Sequence, residues 1–212
     1  MTDTEAPVVW QRVPQGWIEL VAFSDDEIAR RWWEAYLAPA RGAVDADALA
    51  TMTAGFHEAR RVLQDAPYSV AGIFPYLVDE PTVFFLGTTV LPAPSDAAAA
   101  RTASSLTGLV RFDDDMRTES FVALDGRTGS ASLGRATMPD GGEVGAVIGE
   151  VPLPANEGTV FVVALSLDVD RLDELAPYAA LALDSTRLLG ADEEPPSYPP
   201  AEWLAAASEG GA

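Results

Sequence analysis

The chain has no cysteine, no lysine and one histidine, and each absence removes a group of chemistries. Without cysteine there is no disulfide framework and no thiolate zinc site, a composition that fits a reducing cytoplasm. Without lysine there is no Schiff base with pyridoxal phosphate, no P-loop lysine and no Ser-Lys dyad. A lone His57 cannot build the paired-histidine site of a zinc protease, and any Ser-His-Asp triad would have to use it. Gly-x-Ser-x-Gly is absent, and the glycines of 126–149 do not form Gly-x-Gly-x-x-Gly between a strand and a helix. No apolar run reaches the length of a transmembrane helix, about 18 residues. The opening Met1-Thr2-Asp3-Thr4-Glu5 is acidic and lacks the features of a signal peptide, so the expected location is cytoplasmic. No cofactor and no metal is expected.

What is present is mostly negative charge. All 13 cations are arginine, against 33 acids, for a net charge of −20. Binding to nucleic acid draws on cationic neutralisation of phosphates, so nucleic acid is excluded as an unassisted partner, and an anionic membrane surface is disfavoured. A basic protein partner is compatible with this charge, which also keeps a protein soluble. The charge is uneven. Through Arg111 there are 14 acids and 8 arginines; from Phe112 onward there are 19 and 5. Heavy use of Ala, Arg, Asp and Glu without Lys or Cys reads as the codon bias of a GC-rich bacterium, of actinobacterial type.

With 48% hydrophobic and 22% charged residues the chain is composed to fold. Residues 7–23 read as a short strand, a turn at Pro14-Gln15-Gly16 and a second strand. Ser24 offers a helix cap with Glu27 completing a capping box, and Ile28, Trp32, Trp33, Tyr36 and Leu37 follow at helical spacing up to Pro39. A second amphipathic helix covers 45–65, on Leu49, Met52, Phe56, Ala59 and Leu63. Strands are predicted over 69–78 and 82–91, joined at Asp79-Glu80-Pro81, and an alanine-rich helix over 95–110. From about 117 the period changes to two. Segments 118–124, 129–137, 143–151 and 159–169, separated by Asp125-Gly126, Asp140-Gly141-Gly142 and Pro154–Gly158, predict an antiparallel four-strand meander. A last helix is predicted over 170–189, ended by Gly190. The fold class is therefore α+β, an antiparallel sheet flanked by helices in an α/β/α sandwich. Residues 1–190 form a single domain, and 191–212, acidic and rich in proline, a flexible tail.

Five positions stand out as partner-binding candidates: Trp32, Trp33 and Tyr36 in the first helix, and Tyr198 and Trp203 in the tail. Adjacent Trp32 and Trp33 cannot share one helix face, so one of them is expected at the edge of the core, where exposed aromatics mark interfaces. Two further places are candidates for chemistry. His57 on the flank of its helix is a potential general base. Asp113-Asp114-Asp115 carries oxygen ligands for a divalent cation, but lacks the glycine and glutamate spacing of a calcium loop.

Val13-Pro14-Gln15-Gly16-Trp17 is similar to the Pro-x-Gly-Trp opening strand of Mog1/PsbP-like α/β/α sandwich proteins. Glu150-Val151-Pro152-Leu153-Pro154, leading into 159–167 and the helix 170–189, resembles the end of that fold. The resemblance covers about half the chain and implies binding rather than turnover. The function expected is a non-enzymatic protein-binding, assembly or accessory role, secretion- or particle-associated, through the N-terminal aromatic face or the acidic tail. The alternatives are an enzyme using carboxylate or metal chemistry around His57 or Asp113–Asp115, and a subunit of a homo-oligomeric particle.

Overall fold

A computed structural model describes residues 8–23, 25–65, 68–76, 81–92, 108–154, 158–190 and 192–196. The elements are β1 (Val8–Trp10), β2 (Ile18–Glu19), α1 (Asp26–Leu37), α2 (Ala46–Asp65), β3 (Val70–Tyr76) and β4 (Thr82–Pro92). They continue with β5 (Arg111–Phe112), β6 (Arg117–Val122), β7 (Thr128–Thr137), β8 (Glu143–Pro152), β9 (Gly158–Ser166), α3 (Leu172–Ser185) and β10 (Arg187–Leu189). The connection at Asp79-Glu80, most of the predicted helix 95–110, and Tyr198 and Trp203 lie outside the described residues.

Eight strands form one antiparallel sheet in the order β2-β3-β4-β9-β8-β7-β5, with β6 also paired to β7. The predicted meander is β6-β7-β8-β9, each strand hydrogen-bonded to the next. Gly126 and Gly141 hold φ of +84° and +90° in the first two of its turns, a backbone conformation that residues with a Cβ rarely adopt.

Because side chains alternate across a strand, the sheet is apolar on both faces and needs two covers. On β4, Val83 and Phe85 face the layer of α1 and α2, while Phe84 and Leu86 face α3. The same split divides β9: Val163 and Leu165 belong to the first cluster and Val160, Val162 and Ala164 to the second. The α/β/α order is thereby set strand by strand. Leu183 of α3 lies so close to β8 that a Cβ on Gly149 would fall 2.5 Å from its side chain.

The Pro-x-Gly-Trp segment has a definite task. Trp17 N–H bonds the Pro14 carbonyl at 3.2 Å and Gly16 takes φ +84°, closing a turn. The turn lays the Trp17 ring against Gly72 of β3, where a Cβ would come within 2.4 Å of the indole and of the Ile18 carbonyl.

Two local expectations are corrected. The side chain that caps α1 is Asp25, accepting from Ile28 N–H at 2.7 Å, one residue after the expected Ser24, which lies outside the described residues. The final helix stops at Ser185 rather than running to 189, because Thr186 turns extended and Arg187–Leu189 pairs with Val8–Trp10 at the start of the chain.

Candidate protein-binding face

Helix α1 carries more apolar surface than the core covers. At ~100° per residue, Ala29, Trp33 and Leu37 form one stripe and Ile28, Trp32 and Tyr36 the adjoining one. Glu27, Arg30, Arg31 and Glu34 occupy the remaining side. The first stripe is buried, with Trp33 at 2% exposure stacked on Phe56 of α2 at 4.6 Å between ring centroids. The second faces outward: Ile28 is 51% exposed, Trp32 38% and Tyr36 37%.

The exposed rings are ordered among themselves. Trp32 stacks on Tyr36 with centroids 5.2 Å apart and planes 15° from parallel, and meets Phe23 at 5.3 Å. Tyr36 also touches buried Trp33, and this partial burial pushes its phenol pKa up. Exposed Val21 lies two residues from Phe23 in the connection from β2 to α1. Arg60 of α2 holds that connection: it donates to the Leu20 and Phe23 carbonyls and pairs with Asp26 at 2.5 Å. The aromatic row therefore stands on a fixed backbone.

The polar side of α1 is an ion-pair ladder. Glu27 accepts from Arg30 and Arg31, and Arg30 also reaches Glu34 at 2.5 Å. The guanidinium of Arg30, then that of Arg31, lowers the Glu27 carboxyl to about 2.

His57 lies in a cleft of about 520 Å³ between α1 and α2, with Asp26, Glu27, Arg30, Arg60 and Arg61 among its lining. Its three arginines are already bonded to Asp26, Glu27, Glu34, Glu58 and Asp140. The cleft is thus a set of satisfied ion pairs around an exposed imidazole.

Asp113-Asp114-Asp115 joins β5 to β6, two strands that pair with successive parts of the same β7. Residues 113–116 bulge from the sheet edge opposite Gly134 and Arg135, with Met116 N–H closing a turn on the Asp113 carbonyl at 3.2 Å. The three carboxylates are exposed there, and among the described residues no group of three His, Asp or Glu is placed to hold a metal ion. A charged bulge on an edge strand is a device against edge-to-edge pairing.

Of the five residues singled out in the sequence, the structure thus brings Trp32 and Tyr36 together at the surface and places Trp33 in the core. Phe23 and Ile28 complete the face and were not singled out; Ile28 was legible through its spacing of four from Trp32.

No family model matches the chain, and no curated protein matches it. A solved structure to which it is similar is LpqN, involved in cell envelope biogenesis, of Mycobacterium tuberculosis. The two are 14% identical, with 89% of this chain and 87% of that chain covered and a TM-score of 0.39. A likeness at that level says nothing of what this chain binds.

Proposed function

We propose that the protein is a non-enzymatic binding or assembly factor whose contact surface is the outward stripe of α1. The observation that carries this reading is the helix's divided apolar arc. Three large side chains at i, i+4 and i+8 face outward and stay more than a third exposed, two of them, Trp32 and Tyr36, stacked on one another, at a cost in solvation that the core does not require. Rigid aromatic rows of this kind act as anchors because little rotamer freedom is lost on contact. An accessory role in secretion or particle assembly is one setting for such a surface.

The test is co-purification of the full chain from the cells that make it, in parallel with Ile28→Ser and Trp32→Ser. The reading expects partners held by the wild type and lost from both variants. Retention of the same partners by both variants would move the interface elsewhere.

A further inference from the structure

The β1-β10 ribbon stands outside the main sheet. Its two strands pair only with each other, over three residues each, in a two-stranded sheet of their own. A ribbon of that length has little stability alone, so what fastens it decides whether it stays closed.

The fastening is mostly polar. Leu189 is buried and Leu188 packs against the α3-side core, but Gln11 after β1 and Asp184, Ser185 and Thr186 before β10 are buried as well. Arg12 N–H donates to the Ser185 hydroxyl at 3.0 Å, and the Thr186 hydroxyl reaches Gln11 at 3.4 Å. The Gln11 amide nitrogen is buried with no hydrogen-bond partner among the described residues, so closure strands a donor.

The strongest tie is a shared carboxylate. Asp125, in the β6-β7 turn, accepts from Arg187 of β10 at 2.7 Å and from Arg127 at 2.8 Å. Both guanidiniums also donate to the Asp184 carbonyl at the end of α3. Two cations are thereby held side by side; burial, and then the Arg127 charge, push the Arg187 pKa down. Asp125 bridges them and offsets their repulsion.

β10 is also a wall. A cleft of about 350 Å³ lies between Arg187–Leu189 and Leu153–Pro154 at the end of β8. Short segments fastened by few apolar contacts occupy the low end of a protein's range of opening free energies. We infer that β1 and β10 form a strap, pinned by Asp125, that opens as a unit while the eight-stranded sheet stays folded, uncovering Leu188, Leu189 and the Leu153–Pro154 end of β8.

Hydrogen exchange of the full chain, read by mass spectrometry across sub-denaturing urea concentrations, tests this. Peptides covering 8–12 and 186–190 report the ribbon, and peptides covering 160–165 report β9. The variants are Asp125→Asn, Gln11→Met and Val163→Ala, the last on the α1-α2 side of β9. Gln11→Met reports on the strap should Asp125→Asn fail to fold.

The ribbon is expected to exchange at least about a hundredfold faster than β9. Its exchange should depend little on urea, while that of β9 rises steeply, because only global unfolding exposes the larger surface. Asp125→Asn should speed the ribbon about tenfold, and Gln11→Met should slow it, since the stranded donor is gone. Val163→Ala should speed β9 and leave the ribbon unchanged, because the sheet is intact in the open form. A ribbon that shares the rate and urea dependence of β9 opens only with the whole domain and overturns the inference. So does a ribbon that follows Val163→Ala, or one that neither Asp125→Asn nor Gln11→Met alters.

Discussion

Trp32 and Trp33 are neighbours in sequence and opposite in environment: Trp33 lies flat on Phe56 with planes 4° apart, while Trp32 lies on Tyr36 and stays 38% exposed. One residue of rotation about α1 separates a core side chain from a surface one. The difference is expected to be measurable in stability. Trp33→Ala should cost about 3–5 kcal/mol, and Trp32→Ala a good deal less, in urea unfolding of the two variants. Equal losses would mean that the outer stripe is part of the core.

The contact of Trp17 with Gly72 makes a second prediction. A Cβ at 72 meets backbone as well as ring, so Gly72→Ala cannot be absorbed by a rotamer change. The expected loss is about 1–3 kcal/mol, and Trp17→Ala in the same chain should recover only part of it, because the Ile18 carbonyl remains in the way. Full recovery would place the strain on the ring alone.

Glu27 gives α1 an acid-sensitive anchor. Its carboxyl is lowered to about 2 by Arg30 and Arg31. A lowered folded-state value means that the stabilisation is complete above the unfolded value of about 4.3 and is lost as pH falls through about 2. The stability difference between wild type and Glu27→Gln should therefore be constant above about pH 5 and shrink towards zero near pH 2. A difference that does not change across this range would show that the ladder makes no electrostatic contribution.

The acidic bulge at 113–116 is expected to guard an edge rather than hold an ion. Replacing Asp113, Asp114 and Asp115 by threonine should raise self-association in light scattering, since β6 is then a less protected edge. Addition of Mg²⁺ or Ca²⁺ should leave the wild-type melting temperature unchanged. A melting temperature that rises with either ion would restore the site to metal chemistry.

These features differ in how far local sequence carries them. The β6-β7-β8-β9 meander was legible because Asp125-Gly126 and Asp140-Gly141-Gly142 punctuate its first two turns and each strand pairs with its neighbour in sequence. The end of α3 was not. Leu183, Thr186 and Leu189 fit a helical stripe, but Leu189 is buried as a strand residue opposite Val8, a partner at the far end of the chain. Asp113–Asp115 reads as a loop or a ligand cluster until β5 and β6 are seen to share β7. For the α1 face, helical spacing showed that one tryptophan must diverge from the other. Which one diverged depended on Phe56, supplied by α2.

The central claim is that the outward stripe of α1 is a contact surface. A photo-crosslinking residue at position 28, activated in the cells that make the protein, tests it most directly, with the same residue at exposed position 122 on β6 as the control. The account predicts a discrete adduct from position 28, reduced by Trp32→Ser and absent from position 122. The same adducts from both positions, or none from position 28, would contradict it.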